Sequence, residues 1–542
     1  MRNFRAAIAA ISLILAAPAS AAGPVVDAPA GKVEGVAENG LDIFKGIPYA
    51  RPPVGAARWT PPKPLDRWSG VRQAAKFGAA CMQPHSRNNS IYADEPAEMS
   101  EDCLTINIWA PKGAKNLPVL LWIHGGALTG GASSETVYDG AHLAKEGLVV
   151  VSINYRMGVF GYFAHPALSA ESPDGISGNY GLLDQIESLR WIKKNIGAFG
   201  GDAGNVTISG ESAGALSVMY LMASPPARGL FHKAIAESAY MISTPALKKD
   251  EFGEPSNESR GAALAAKLNA PDLAALRALD ARTLTDQAAP NGWFPWGSVD
   301  GKILPRQLVD MFDKGEQAPV PLLVGFNQGE IRSLTFLLPP APASAADYEK
   351  IIRERYGDLA DAFLKLYPAA DYKESLFAIT RDALYGWTSE RLARKQTAIG
   401  QPAYLYLNDL GYPAADQMGL HAFHASEIPF VFGTAALTPP FWPRPPGTPE
   451  AQKLSAALSG YWSSFAKTGK PIAAGEVDWP RFGADSQYLL IGRTPQAADH
   501  LMPGMYALNE AVVCRRHAAG QIQWNWNVGV ISPPLPPQAP GC

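Results

Sequence analysis

The chain has 542 residues, of which 47% are hydrophobic and 18% charged, so it can bury a large core. Its formal net charge is −3 with both signs interspersed, which argues against a nucleic-acid partner and against a basic patch for a membrane surface. The sequence shows no internal repeat and no polar linker that would separate independent domains.

The N-terminus has the pattern of a secretory signal peptide. A basic start is followed by an apolar run over residues 6–17 and by the small-residue cleavage site Ala19-Ser20-Ala21. The apolar run is too short to anchor the chain in a bilayer, and no later segment has 18 uninterrupted apolar residues. We therefore expect residues 1–22 to be removed and residues 23–542 to fold as one domain that is secreted or periplasmic.

Buried strands alternate with helical segments in the first half of the chain. Continuous apolar runs at Pro118–His124 and Gly147–Tyr155 are typical of strands covered on both faces. Gly181–Ile192 has apolar residues at helical spacing and leads to a strand at Asn205–Ser209, with a further strand at Phe231–Ala236. This alternation predicts an α/β fold with a large, mostly parallel sheet flanked by helices.

The other segments are predicted from composition and spacing. They are a hairpin over 23–43, a rigid Pro/Gly-rich loop at Phe44–Gly55, helical insertions over 250–290 and 345–400, strands at Pro319–Phe326 and Pro402–Leu407, a helix over 449–468, and an extended strap after Ser532.

A candidate nucleophile lies in Gly210-Glu211-Ser212-Ala213-Gly214, between a predicted strand and a predicted helix. In that context the G-x-S-x-G pattern predicts a nucleophile elbow, a strained turn that raises the serine hydroxyl above the sheet edge. The glycines remove Cβ atoms that would clash in such a turn, and the helix start directs free N–H groups at the site. The alternative is an ordinary turn between a strand and a helix.

Serine-based ester hydrolysis also needs donors for the oxyanion. The segment His124-Gly125-Gly126-Ala127 follows a buried strand, where an oxyanion loop belongs in an α/β-hydrolase. The candidate donors are the backbone N–H groups of Gly126, Ala127 and Ala213. The alternative for this loop is an ordinary glycine turn.

A base and a group that orients it complete the requirement, in the chain order serine, acid, histidine. Glu330 follows a buried strand and is the candidate acid; Asp300 competes, but its D-G turn has its own structural explanation. His424 follows the strand that ends near Leu407 and is the candidate base, with His421 three residues away as the alternative. Activity should then fall as the pH drops through the pKa of the base, usually about 6–7.

A series of segments between about residues 44 and 433 follows the order of one known family. The segments are Phe44–Ala50, Pro52–Gly55, Ser100–Leu104, Asn107–Trp109, His124–Gly126, Asn154–Arg156, Gly178–Gln185, Phe199–Asp202, Gly210–Gly214, Phe231–Ile235 with Ser238, Glu330, and His424 with Glu427–Gly433. On these segments the chain resembles the carboxylesterase/cholinesterase family of α/β-hydrolases, the type-B carboxylesterases. The resemblance implies Ser212, Glu330 and His424 as a catalytic triad.

Four cysteines are present, and an exported chain favours disulfides. Their order suggests the pairs Cys81–Cys103 and Cys514–Cys542, although the residues alone leave the other two connectivities open. The resemblance implies Cys81–Cys103 as the first disulfide of the family.

The chain departs from the family pattern near the predicted site. Ala127 stands where the family usually has a third glycine, which places a Cβ near the oxyanion pocket, and Ala425 replaces the glycine after the histidine. The family's Asp-Glu-Gly around the acid is Gly329-Glu330-Ile331 here. Glu211 is expected near the pocket, where it would organise water; the alternative is a buried, hydrogen-bonded carboxylate.

The substrate pocket is predicted from Trp293-Phe-Pro-Trp296, which precedes the Asp-Gly turn. In the family's order this segment supplies walls on the acyl side, so Trp293 and Trp296 would narrow the pocket or stack on flat acyl groups. The alternative is that they pack in the core under the helical insertion. We predict a preference for small or flat acyl groups over long fatty chains.

The sequence therefore predicts a secreted serine carboxylesterase that acts on small-molecule esters through an acyl-enzyme, with no cofactor, no metal and no nucleic-acid or membrane partner. One alternative is a catalytically inactive cholinesterase-like binding or adhesion module. Another is a hydrolase of amides, carbamates or aryl-acid esters. The oligomeric state stays open.

Overall fold

The computed structural model describes residues 23–86, 90–524 and 528–542, so the predicted signal peptide lies outside the described residues. The strands are β1 (Val25–Ala28), β2 (Gly31–Glu34), β3 (Val36–Glu38), β4 (Leu41–Pro48), β5 (Val71–Gln73), β6 (Ala80–Cys81), β7 (Met99–Ser100), β8 (Thr105–Pro111), β9 (Leu117–Ile123), β10 (Val149–Ile153), β11 (Gly201–Glu211), β12 (Lys233–Glu237), β13 (Leu322–Asn327), β14 (Ala403–Asn408), β15 (Tyr488–Ile491) and β16 (Pro495–Ala498).

Helices fill the connections between the strands. They are α1 (Ala141–Lys145), α2 (Gly158–Tyr162), α3 (Pro166–Glu171), α4 (Tyr180–Asn195), α5 (Ala213–Ala223), α6 (Asn257–Lys267), α7 (Leu273–Ala278), α8 (Ala281–Ala288), α9 (Leu308–Asp313), α10 (Ala345–Tyr356), α11 (Ala360–Leu366), α12 (Tyr372–Arg381), α13 (Trp387–Ala398), α14 (Pro413–Gln417), α15 (Ile428–Val431), α16 (Pro449–Thr468) and α17 (Met505–Ala519). None of these described helices has the length and apolar character needed to cross a membrane.

An 11-stranded sheet organises the molecule, in the order β16-β15-β14-β13-β12-β11-β9-β10-β8-β4-β3. The strands from β15 to β10 in this order pair in parallel, whereas the pairs at both edges are antiparallel. The predicted large, mostly parallel sheet is therefore confirmed. Because β9, β11, β13 and β14 run in the same direction, the loops that follow them meet at one edge of the sheet.

The central strands and the helix behind them are buried throughout. Every residue of β10, β12, β13 and β14 is buried, as predicted for strands covered on both faces. Helix α5 is buried on all sides, which its apolar sequence from Ala213 to Ala223 permits.

One local prediction is wrong. The segment predicted as a rigid loop from Phe44 to Gly55 begins as the second half of β4. Phe44 pairs with Ile108 of β8 and Ile47 with Ile106, and both side chains are buried. Burial of these apolar side chains stabilises a strand where the Pro/Gly content indicated a loop.

The structure contains two disulfides, Cys81–Cys103 and Cys514–Cys542. The two cysteines of each pair lie 22 and 28 residues apart in the sequence, respectively. By the chain-entropy argument each contributes about 3 kcal/mol to the free energy of unfolding. The second disulfide ties the C-terminal strap to α17.

Candidate active site

Ser212 lies in a strained turn between β11 and α5. Its backbone has φ 58° and ψ −120°, a conformation that side-chain-bearing residues rarely adopt. A Cβ on Gly210 would lie 2.6 Å from the carbonyl carbon of Gly214, and one on Gly214 would lie 2.0 Å from the Ile123 carbonyl oxygen. Only glycine fits at both positions, so the G-x-S-x-G pattern is a steric requirement of this turn.

His424 contacts the carboxylate of Glu330 through Nδ1 in a short hydrogen bond. The other carboxylate oxygen of Glu330 accepts from the Ser238 hydroxyl at 2.6 Å and from the Asn327 backbone N–H at 2.8 Å. Both members of the pair are buried. With three donors on one carboxylate, the orientation of the imidazole is well defined.

Contacts with neighbouring loops hold the chain around His424 in place. The backbone N–H of Gly329 donates to the Ala422 carbonyl at 2.7 Å. The Tyr92 hydroxyl lies 2.8 Å from the His424 carbonyl and 2.7 Å from Ser333 Oγ. The loop that carries Glu330 and the loop that carries His424 are thus hydrogen-bonded to each other. Tyr92 also bonds both loops to the segment between Cys81 and Cys103.

Glu211 lies on the other side of the imidazole. Its Oε1 is 3.0 Å from His424 Nε2, although the two groups are not aligned as a hydrogen bond. Burial raises the pKa of Glu211. Burial also lowers the pKa of His424, but Glu211 and Glu330 outweigh this effect, and the pKa of His424 is raised well above its usual value. The imidazole is therefore held between two buried carboxyl groups.

The glycine loop after β9 approaches Ser212. A Cβ on Gly125 would lie 3.2 Å from Ser212 Cβ. In the described part of the chain, the N–H groups of Gly126, Ala127 and Ala213 donate to no protein acceptor, so they are free to bind an oxygen of a substrate.

The two alanines that depart from the family pattern both have left-handed backbones. Ala127 has φ 55° and Ala425 has φ 65°. Glycine adopts this region freely, whereas an alanine there costs about 1 kcal/mol. The substitutions therefore keep the backbone shape at the expense of some stability.

Asp300 and His421, the alternative candidates for the acid and the base, lie apart from the histidine–carboxylate pair. Asp300 binds the backbone N–H groups of residues 302–304 and the side chain of Asn179, which is the structural role its turn indicated. The side chain of His421 is 41% exposed and contacts Asp409 at 2.8 Å and Asp416 at 3.2 Å. Neither residue contacts Ser212, Glu330 or His424 within the described ranges.

Trp293 lies in the hydrophobic core, with 6% of its surface exposed and its ring 6.2 Å from that of Phe163. Trp296 is partly buried and packs against the same core, whereas Phe294 between them is 55% exposed. These contacts fit the packing alternative for the tryptophan segment. A role of Trp293 and Trp296 in the pocket wall stays a prediction.

Several polar residues at the site received no role from the sequence. Ser238 follows β12 and binds Glu330, Asn327 ends β13, and Glu427 lies three residues after His424 with its carboxyl group fully buried. Ser238 and Glu427 belong to the family-like segments, so the resemblance marked their positions without their contacts. Across the described ranges, no group of three or more His, Cys, Asp or Glu side chains is arranged to hold a metal ion.

The parallel sheet, the strained serine turn after β11 and the buried histidine–carboxylate pair at the same sheet edge define an α/β-hydrolase. The model of the Carboxylesterase family matches residues 22–508, and the chain belongs to this family. As its relatives indicate, it is a carboxylic-ester hydrolase.

Among its relatives, the chain is 38% identical to the fumonisin B1 esterase of Sphingopyxis macrogoltabida, over 85% of each chain. It is 35% identical to the para-nitrobenzyl esterase of Bacillus subtilis (strain 168), over 86% of this chain and 94% of that one. A solved structure of a PNB esterase superposes with a TM-score of 0.78 at 34% identity, covering 89% of this chain and 99% of the other.

Proposed function

We propose that the chain hydrolyses esters by a serine mechanism with Ser212, Glu330 and His424 as the triad. Ser212 Oγ attacks the ester carbonyl carbon while His424 Nε2 accepts the hydroxyl proton. Glu330 holds the Nδ1 side of the ring and stabilises the imidazolium that forms. The oxyanion of the tetrahedral intermediate binds the N–H groups of Gly126, Ala127 and Ala213.

Collapse of this intermediate expels the alcohol, which takes the proton from His424 and leaves the acyl group on Ser212. A water molecule then attacks the acyl carbon while His424 accepts its proton, and a second oxyanion forms in the same loop. Release of the carboxylic acid returns the proton to Ser212. The products are the alcohol and the acid of the ester.

One observation carries the proposal: Nδ1 of His424 is bound to the buried Glu330, while Nε2 faces residue 211, the immediate neighbour of Ser212. Glu330 thus holds the Nδ1 side of the base, and Nε2 lies on the side of the nucleophile. A fluorophosphonate probe tests the assignment, because it reacts only with an activated serine. We expect one label, on Ser212 by peptide mapping; an unlabelled protein would favour an inactive binding module instead.

We further propose that the substrates are small-molecule esters with small or flat acyl groups and that the protein is exported. The methyl group of Ala127 next to the oxyanion donors limits bulk at the carbonyl. Two disulfides favour an oxidising compartment. A panel of esters that differ in acyl length and aromaticity tests the first point; equal kcat/KM for acetyl and long-chain esters would contradict it.

We expect the acid limb of the kcat/KM profile to lie at higher pH than the sequence indicated, because two carboxyl groups raise the pKa of His424. Only the neutral imidazole accepts a proton, so activity falls as the pH drops through that pKa. Glu211→Gln removes one carboxyl group, lowers the pKa, and should move the limb to lower pH by about one unit or more.

Asp416→Asn is the matched control for this prediction, since it removes a carboxylate from the surface histidine His421. It should leave the limb unchanged. A limb that stays in place or moves upward in Glu211→Gln would show that Glu211 does not control the charge of the base.

Trp293→Ala tests the predicted acyl wall. If Trp293 limits the pocket, the variant should raise kcat/KM for longer or branched acyl esters relative to short ones by roughly 1–3 kcal/mol. Phe294→Ala is the control, because this neighbour is exposed and should change neither specificity nor stability. A drop in melting temperature for Trp293→Ala with an unchanged ratio of short to long esters would assign the residue to the core alone.

A further inference from the structure

Asn327 is the last residue of β13, fully buried, and it contacts both halves of the histidine–carboxylate pair. Its backbone N–H donates to Glu330 Oε1 at 2.8 Å. Its side-chain Nδ2 donates to the carbonyl of Phe423 at 2.9 Å and to Glu427 Oε2 at 2.6 Å. Phe423 directly precedes His424, so one residue connects the acid loop to the chain that carries the imidazole.

We propose that Asn327 is a positioning residue for His424, an inference that rests on the proposed triad. The amide orients the segment from Phe423 to Glu427 relative to the Glu330 carboxylate, so that Nδ1 of His424 meets that carboxylate and Nε2 faces the nucleophile. The residue touches no reacting atom. It acts through the histidine loop and through Glu330.

The chemistry of the contact favours an amide. An NH₂ group has two N–H donors on one atom, whereas a hydroxyl has one and an ionised carboxylate has none. The second amide atom, Asn327 Oδ1, is buried and has no hydrogen-bond partner in the described part of the chain. Leaving an acceptor unpaired in the core costs free energy, which indicates that the two donated bonds dictate the orientation of this side chain.

Glu427 completes the connection. Its carboxyl group is fully buried, its Oε1 lies 3.0 Å from the Tyr406 hydroxyl, and burial raises its pKa to about 8. Asn327 therefore binds a group that is fixed to β14 through Tyr406. The segment that carries His424 is held at both ends, by its Phe423 carbonyl and by its Glu427 side chain.

Asn408 provides a matched control in the same sheet. It is the last residue of β14, lies directly across from Asn327 in the strand register, and is equally buried. Its amide reaches the same loop at Ser426 Oγ, 3.3 Å away, but contacts neither Phe423 nor Glu427. Replacing either asparagine removes a buried amide at the end of a central strand, so general packing effects are shared.

The experiment compares Asn327→Ala, Asn408→Ala and His424→Ala by kcat, KM and thermal unfolding on one activated ester. We expect Asn327→Ala to lower kcat about 10- to 100-fold, the cost of displacing a catalytic group by about 1 Å. Its KM should stay within about threefold, because substrate binding is not removed. Asn408→Ala should keep kcat within about threefold of the parent.

A second variant covers the case in which Asn327→Ala fails to fold. Asn327→Asp keeps the size of the side chain but has no N–H donor for the Phe423 carbonyl, and it should also lower kcat. Adding Glu427→Gln returns an amide to the contact with the roles of donor and acceptor exchanged, so the double variant should recover part of kcat. A merely structural role predicts no such recovery.

The outcomes separate this inference from the proposed function. The positioning role would be overturned if a folded Asn327→Ala kept the parental kcat, or if the two asparagine variants lost kcat equally. In either case an inactive His424→Ala would leave the proposed triad intact. An active His424→Ala would overturn the triad itself, and the positioning role with it.

Discussion

Replacing Ser212 by alanine is expected to lower kcat by about three powers of ten or more while the protein stays folded. Alanine keeps the Cβ, so the strained backbone at φ 58° is no harder to adopt. Ser212 is half-buried, and its hydroxyl makes no hydrogen bond to a protein group in the described residues, so folding loses no contact of this kind. Steady-state kinetics on an activated ester measure the loss of kcat, and thermal unfolding measures whether the protein stays folded.

Ser209→Ala is the control for this variant. Ser209 lies three residues earlier on β11, and its buried hydroxyl donates to the Leu121 carbonyl at 3.1 Å. Its removal takes away a structural hydrogen bond and should cost about 1 kcal/mol of stability with turnover retained. Near-normal turnover in Ser212→Ala would end the assignment of the nucleophile.

His424→Ala is expected to abolish activity as completely, whereas His421→Ala should retain most of it. The first substitution removes the group between Glu330 and Glu211, while the second removes an exposed side chain that contacts two surface aspartates. The loss in kcat should again reach about three powers of ten. Reversed outcomes would show that the base lies three residues earlier in the sequence.

His424→Ala leaves two carboxyl groups buried without their common partner, so its stability needs a separate measurement. We expect a lower melting temperature, because a buried charge that loses its partner costs about 3–5 kcal/mol. His424→Gln supplies an amide to the same two carboxyl groups. It should be more stable than the alanine variant and equally inactive, since an amide does not accept a proton from serine.

The sequence by itself determined the class of fold and the order of the main elements. Runs such as Val149–Ile153 and Leu322–Asn327 are apolar apart from Ser152 and Asn327, and that pattern is typical of strands buried on both faces, hence of a parallel sheet between helices. The serine turn was likewise readable, because its geometry excludes any Cβ at Gly210 and Gly214 and so leaves a local sequence pattern. The chain order then placed one carboxylate and one histidine after later strands.

Only the tertiary structure decided which polar groups meet. Glu330 and His424 are 94 residues apart in the sequence, Ser238 and Glu330 are 92 apart, and Asn327 and Glu427 are 100 apart. Such pairs leave no local periodicity, because the polar residues at the ends of strands are brought together by the order of strands in the sheet.

The position of Glu211 against His424 and the burial of Trp293 have the same origin. The sequence left two alternatives for each residue. The spacing of the neighbouring residues is the same under both alternatives, so it does not distinguish them. Glu211 lies 3.0 Å from Nε2 of His424 because β11 and the loop that carries His424 meet at the same sheet edge, and Trp293 is buried because it packs in the main core, next to Phe163. A pKa or a packing contact depends on everything that surrounds a side chain in space, and strand order and loop packing supply those surroundings.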